Sequence, residues 1–446
     1  MAATVPSTAL LTDRYELTML EGALRSGAAG RECVFEVFAR RLPGRRRYAV
    51  VAGTARVIEA IEAFRFGPEE IAWLEANRVV DAPTLAFLAG YQFSGSVIGY
   101  AEGECYVPGS PILTVRGTFA EAVLLETVVL SILNHDSAVA TAASRMTGAA
   151  GTRPCFEMGA RRTHEAAAIA AARAAVVAGF TATSDLEAGR THGLTTMGTA
   201  AHAFTLVHDD EEAAFAAQVA SLGPGTTLLV DTYDVPRGVE RAVAAARAAG
   251  GELGAVRLDS GDLVAQAREV RAQLDTLGAM STKIVVTSDL DEFAIAALAA
   301  TPADSLGVGT SLVKGSGHPT AELVYKLVAR QNAAGVLEPV AKTSAAKQTV
   351  GGLKWAGRVL DAGCAVEELV VALSDDEAAA EVLHEAGARL LQVPLVVDGA
   401  AVPGRTGPAA LAAAVERHRL SRDELPADAW RLSPGDPAIP TRVLTW

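Results

Sequence analysis

The chain has 446 residues, too many for one ordinary domain, so the length alone predicts two or three units or a barrel with a companion. Half of the residues are hydrophobic but only 5% are aromatic, which excludes disorder over most of the length and requires a core of Ala, Val and Leu. A net charge of -13, from 39 basic and 52 acidic residues, excludes a general binder of nucleic acid or of anionic membranes.

In chain order, residues 15–26 read as a short helix and 34–38 alternate as a strand, with turn signals at Pro43-Gly44 and Pro108-Gly109. A long amphipathic helix is predicted over 119–145. Glu121, Glu126, Asn134, His135 and Asp136 interrupt its apolar face, so it is no membrane span, and the N-terminus shows no export signal. Strands are then predicted at 155–158, 180–183, 195–198, 228–230, 255–258, 284–286 and 306–310. Helical patterns follow several of them, at 239–249, 263–277 and 292–300. Units of this alternation predict parallel βα architecture and favour a (β/α) barrel over an open sheet, although periodicity alone does not separate the two. After Lys342 come hairpin-like stretches at Gly351-Gly352 and 357–360, then a polar helix at 374–387. Cys33, Cys105, Cys155 and Cys364 lack the spacing of a disulfide framework or a zinc site, which fits a reducing cytoplasm.

Polar residues cluster behind the predicted strands, where the loops of a barrel converge on one cavity. Arg257-Leu258-Asp259-Ser260-Gly261-Asp262 puts Arg257 and Asp259 on one side of a strand end, suited to a ligand with an anionic group and vicinal hydroxyls. A strand-end ion pair and a capped helix would leave the same pattern. Of eight histidines, His202 alone stands one turn past a Gly198-Thr199 strand exit, where imidazole can serve as base, acid or nucleophile. Arg161 and Arg162 supply forked cations at another exit, and Gly307-Val308-Gly309-Thr310 lets backbone N–H groups and a hydroxyl approach a phosphate.

Taken together these motifs resemble a nicotinate phosphoribosyltransferase of the shorter bacterial type, nearly end to end. The likeness runs through residues 12–19, 35–38 with Arg41-Leu42-Pro43, 126–145, 159–164, 183–186, Gly198-Thr199 with His202, 231–234, 257–262, 287–290 and 307–310. It implies an α/β fold: an irregular, incomplete β/α barrel of the type II phosphoribosyltransferase kind, with an α/β companion domain built from both chain ends. The expected division is 1–118 for the first part of the companion, 119–150 for a connecting helix, 151–345 for the barrel and 346–446 for the rest of the companion.

The resemblance also implies the reaction, in which nicotinate, phosphoribosyl pyrophosphate, ATP and water give nicotinate mononucleotide, pyrophosphate, ADP and phosphate in NAD salvage. Its expected cofactors are Mg²⁺ and ATP as co-substrate. Its expected assembly is a cytoplasmic homodimer with active sites at the subunit interface and no nucleic-acid or membrane partner. By motif, His202 is the expected phosphohistidine, acting with Arg257 and Asp259. Tyr15, Thr199, Arg257 and Met158 are expected at nicotinate, with Tyr15 reaching a neighbouring subunit's site. Arg161, Asp259, Ser260, Gly261, Asp289, Gly307, Gly309 and Thr310 are expected at phosphoribosyl pyrophosphate, with metal ligands left open. Met158 stands where relatives often carry Phe, and Asp185 where Asn is common, which adds a carboxylate near the expected base pocket. Nicotinamide phosphoribosyltransferase and a non-catalytic phosphoribosyl-binding relative are the alternatives.

Overall fold

A computed structural model describes residues 6–342, 350–373 and 376–445. The chain divides into two compact units, one from Met1–Thr141 with His318–Trp446, the other from Ala142–Gly317. The first division falls inside the helix Glu126–Ala150 and the second ahead of the strand Leu323–Gln331, rather than at 150/151 and 345/346. The physical reason for the second difference is that Leu323–Gln331 pairs antiparallel with Glu32–Ala39, so it completes a sheet of the terminal unit. The expected boundary at 345/346 itself lies outside the described residues, as does Ser374 at the start of the expected polar helix, which runs Asp376–Glu385.

The unit made by the chain ends is built on a seven-stranded sheet in which Glu32–Ala39 lies between Leu323–Gln331 and the central strand Leu113–Thr118. Val34-Phe35-Glu36-Val37-Phe38 is buried on both faces, which explains why its alternation is only partial. Phe35, Val37, Leu113 and Val115 pack with Leu17, Leu20, Val128 and Leu133 of the helices in one core. A second sheet of four strands includes the hairpin Lys354–Asp361 and Cys364–Ala372, closed by Ala362 and Gly363, both at positive φ as a tight primed turn requires. Arg358 is fully buried there, 2.9 Å from Glu104 and 3.2 Å from Glu368, and donates to the Cys105 carbonyl. This paired buried charge ties the hairpin to the loop that carries Glu104.

The expected helix at 119–145 is two helices, Phe119–Val123, which a Thr118–Glu121 capping box starts, and Glu126–Ala150.

The second unit holds six strands in the order Ala182–Thr183, Cys155–Glu157, Ser305–Val308, Lys283–Val286, Ala255–Leu258 and Thr227–Leu229. Every pairing between them is parallel. Among the described residues the two edge strands do not pair with each other, so the sheet is a curled, incomplete β/α barrel. The expected strand at 195–198 is reduced to one bridge, Thr196 to Thr183. Small residues let helices lie close on the strands: Ala168, Ala170, Ala171, Ala172, Ala174 and Ala175 of Glu165–Val177 are all buried. At the start of Val235–Ala248, a Cβ on Gly238 would stand 2.4 Å from the Val230 carbonyl, so only glycine fits against that strand exit. All four cysteines are free, with Cys364 exposed and the others buried. Among the described residues no helix is long and apolar enough to cross a membrane.

Candidate active site

Strand alternation sets the site. In Ala255–Leu258, Val256 and Leu258 are wholly buried, and Arg257 points to the other side, into a cavity of about 470 Å³ at the carboxyl ends of the parallel strands. Arg257 Nη1 donates to Thr199 Oγ1 and, at 3.2 Å, to the Ala200 carbonyl. Its Nη2 lies 3.7 Å from Asp259 Oδ2, while its buried Nε has no protein partner. Burial lowers the guanidinium's pKa, against the opposing pull of Asp259 and Asp231, yet arginine starts so high that the charge is kept.

Asp259 is held at two points. Thr287 Oγ1 donates to its Oδ1, and its backbone N–H donates to Asp231 Oδ2 at 2.9 Å. Asp231 also accepts from Ser260 Oγ at 2.8 Å, and its buried Oδ1 has no protein partner. His202 opens the short helix His202–Leu206. Its Nδ1 lies 3.1 Å from Thr232 Oγ1, and its Nε2 lies 4.0 Å from both Asp231 Oδ1 and Asp259 Oδ2.

Across the cavity, Glu157 ends its strand in a buried position. It accepts from the Gly159 N–H and, at 2.5 Å, from Thr183 Oγ1, which sets the path of the loop that carries Met158, Arg161 and Arg162. Burial pushes the Glu157 carboxyl up, partly offset by those two bonds. Gly307 makes room in turn: a Cβ there would stand 2.6 Å from Thr287 Cγ2 and 2.7 Å from Met158 Sδ. Ser288 has φ +112°, a conformation costly for a residue with a side chain, and lines the same cavity.

Of the residues expected at a site, Met158, Arg161, Thr199, Arg257, Asp259, Asp289, Gly307, Gly309 and Thr310 all line this one cavity. His202, Ser260 and Gly261 are not in its lining. His202 stands beside it against Asp259, Ser260 binds Asp231, and Gly261 takes φ +84° in the turn after them. Tyr15 belongs to the other unit, on Arg14–Ser26, with its ring exposed and its phenol pKa raised by burial and then by Glu126. Asp185 is occupied as the N-cap of Leu186–His192, accepting from Ala188 N at 2.9 Å, and is absent from the lining. Asp234 and Asp262 are helix caps as well. Asp231, Thr232, Glu157 and Ser288 lie within motifs legible in the sequence but carried no expected role at the site; for the first two the signal was their place at the exit of a predicted strand.

Comparison with known proteins bears directly on this arrangement. Residues 10–134 match the family model described as the nicotinate phosphoribosyltransferase (NAPRTase) N-terminal domain. The nicotinate phosphoribosyltransferase pncB1 of Mycobacterium tuberculosis is 55% identical, over 98% of this chain and 95% of that protein. The nicotinate phosphoribosyltransferase of Bacillus subtilis is 36% identical, over 80% of this chain and 74% of its own length. A crystal structure of human nicotinic acid phosphoribosyltransferase superimposes with a TM-score of 0.80 at 25% identity, covering 96% of each chain. By sequence and by fold, this chain belongs to the nicotinate phosphoribosyltransferase family.

Proposed function

We propose that the chain joins nicotinate to the phosphoribosyl group of phosphoribosyl pyrophosphate, with ATP hydrolysis coupled to the transfer. The observation that carries this reading is that Arg257, Asp289 and Thr310, which come from three different strand exits, line one cavity of about 470 Å³. Three guanidiniums, Arg161, Arg162 and Arg257, line it against Asp259 and Asp289, so an acidic chain gathers positive charge where anionic substrates would enter.

Arg257 and Thr199 hold the nicotinate carboxylate. A charge-assisted bond of this kind aims the ring nitrogen at the anomeric carbon, while the Met158 thioether packs on the pyridine face. Gly307, Gly309 and Thr310 receive the phosphate of the ribose, Ser260 and Gly261 frame the sugar side, and Arg161 takes the pyrophosphate end. Loss of pyrophosphate builds positive charge on the sugar, and the fixed carboxylate of Asp259 stabilises it where it develops.

Mg²⁺ suits the oxygen donors here. Asp259 and Asp289 would hold it together with substrate phosphates, since magnesium commonly takes only one or two protein carboxylates, and Asp231 offers a buried oxygen without a partner. When bound, the ion neutralises the leaving pyrophosphate.

For the ATP step, His202 is the phosphate acceptor. Thr232 Oγ1 accepts a hydrogen bond from Nδ1–H, which keeps the proton on Nδ1 and leaves the Nε2 lone pair to attack the γ-phosphorus; the N–P bond forms as the P–O bond to ADP breaks, and water later releases phosphate. We also infer a homodimer in which Tyr15 reaches a neighbouring copy's cavity. In support, Tyr15 is exposed beside the exposed apolar residues Leu10, Leu11 and Met19. A cytoplasmic setting suits four cysteines without a disulfide.

Product analysis tests the reading. Purified protein with phosphoribosyl pyrophosphate and Mg²⁺ is given nicotinate or nicotinamide, with and without ATP. The expected result is nicotinate mononucleotide and pyrophosphate, stimulated by ATP. Turnover of nicotinamide in preference to nicotinate, or no pyrophosphate with either base, overturns it.

A further inference from the structure

Glu157 is a buried titratable group to which the proposed reaction gives no part. It ends the strand Cys155–Glu157, is 1% exposed, and is absent from the lining of the cavity that holds Arg257 and Thr310, so any effect on a substrate passes through other groups. A carboxylate in such a place is costly unless its oxygens are met. Both are met, by donors from different segments: Oε1 accepts from the Gly159 N–H, and Oε2 accepts from Thr183 Oγ1 at 2.5 Å.

Each donor belongs to one wall of the cavity. The first wall is the turn 158–162, which brings Met158, Arg161 and Arg162 into the lining. Met158 N–H donates to the Val308 carbonyl at 2.8 Å, and a Cβ on Gly159 would stand 2.2 Å from Val313 Cγ1 and 3.2 Å from the Gly309 carbonyl. The turn is thus wedged against the segment that carries Thr310, and the bond to Oε1 fixes its depth.

The second wall starts at Thr183, which is fully buried at the end of the neighbouring strand Ala182–Thr183. Its N–H donates to the Thr195 carbonyl at 3.0 Å, and its carbonyl accepts from the Met197 N–H at 2.9 Å. From there the chain runs directly into Gly198 and Thr199 of the lining, and Thr199 is the partner of Arg257. The Thr183 hydroxyl accepts from the Asp185 N–H at 2.9 Å, so its own proton is free to point at Glu157. Donors therefore converge on the carboxylate from both walls. An amide of the same size would turn an N–H toward one of them.

We propose that Glu157 is a positioning residue that holds these two walls in register, the turn of Arg161 and Arg162 on one side and the path from Thr183 to Thr199 on the other. The inference rests on the reaction proposed above. Loss of the Gly159 bond loosens the guanidiniums that meet the pyrophosphate end; loss of the Thr183 bond loosens the segment that meets nicotinate. Displaced binding groups weaken ground state and transition state alike, so the effect falls on KM more than on kcat.

Steady-state kinetics with each substrate varied in turn, together with thermal unfolding, tests this on E157Q, T183V and T183S. E157Q is expected to raise KM for nicotinate and for phosphoribosyl pyrophosphate by about tenfold or more, with kcat within about threefold. T183V, which keeps shape and removes the hydroxyl, should raise KM for nicotinate by about fivefold or more and leave that for phosphoribosyl pyrophosphate within about twofold; T183S restores both. The threonine pair decides the matter if E157Q does not fold. A purely structural role predicts a lower melting temperature and fewer active molecules with both KM values unchanged. That pattern in E157Q, wild-type KM values in T183V, or a T183S enzyme as weak as T183V overturns the inference. If the wild type forms no nicotinate mononucleotide, the proposed reaction falls and this inference with it, whereas wild-type turnover with unaltered variants removes the role of Glu157 alone.

Discussion

Arg257 Nη1 donates to Thr199 Oγ1, and the same guanidinium keeps a buried Nε with no protein partner. The protein thus fixes Nη1, while Nη2, 3.7 Å from Asp259, makes no hydrogen bond to the protein at that distance and is the corner for a ligand. A charged hydrogen bond to a substrate carboxylate is worth about 1.5–3 kcal/mol. Arg257→Ala is therefore expected to lower kcat/KM for nicotinate by about 10- to 200-fold. Thr199→Val, which releases Nη1 without removing the charge, should cost less and act mainly on KM. Steady-state kinetics of both variants checks this; an R257A enzyme with an unchanged kcat/KM for nicotinate would remove Arg257 from the base pocket.

His202 and Thr232 make the second test. With Nδ1 against Thr232 Oγ1, the ring has one orientation with Nε2 toward Asp231 and Asp259. His202→Ala should abolish acid-labile radiolabel from γ-labelled ATP and ATP stimulation, while slow ATP-independent transfer persists, because the groups that hold base and sugar are untouched. Thr232→Val should keep the label but slow its appearance, as the ring loses the partner that sets its tautomer. Label in H202A protein would place the phosphoryl group on another residue.

Much of this site was legible before any coordinates, and the reasons are physical. Asp259 follows immediately on a strand, with Arg257 two residues back, so strand alternation puts both on one side; the fold places both in the cavity. Asp234, Asp262 and Asp185 share the same composition cue but sit just ahead of helices, where capping consumes them. Local pattern does not separate the two fates. Partners distant in the chain were equally out of reach: the pairing of Leu323–Gln331 with Glu32–Ala39, which moves the boundary of the barrel, depends on residues some 290 positions apart. Ser288 could not be read at all, since its positive φ is imposed by the fold on an ordinary residue.

Glu16 predicts a pH dependence of stability in the unit built from the chain ends. It is fully buried on Arg14–Ser26 and accepts from Thr12 Oγ1 and from the Thr127 N–H and Oγ1. Burial raises its pKa to about 7, against the lowering effect of those bonds. Because the folded-state value exceeds that of the unfolded chain, the folded state binds the extra proton between the two values. Its contribution is complete below about 4.5 and is lost as pH rises through about 7, a change on the order of 3 kcal/mol. Urea unfolding at several pH values, with wild type compared against Glu16→Gln, isolates it. The gap between the two chains should shift by that amount in favour of the variant as pH rises, and a gap independent of pH would contradict the raised value.

Gly307 carries the last prediction. A Cβ at this position would meet Thr287 Cγ2 at 2.6 Å and Met158 Sδ at 2.7 Å, closer than real Cβ contacts. The thioether is flexible and can swing away, but Thr287 is β-branched, and its hydroxyl donates to Asp259. Gly307→Ala therefore acts on the site through two neighbours at once. It pushes the thioether that faces the base, and it loosens the threonine that holds the carboxylate beside Arg257. Overpacking of this kind costs about 1–3 kcal/mol of stability, and misplaced groups in a preorganised site lower kcat by about 10- to 100-fold. Met158→Ala in the same chain relieves only the first clash. The double variant should regain part of the stability but little of the rate if Thr287 and Asp259 govern the chemistry, and both quantities together if the crowding of Met158 was the whole effect. Thermal unfolding and single-turnover rates of G307A, M158A and the double variant decide between the two.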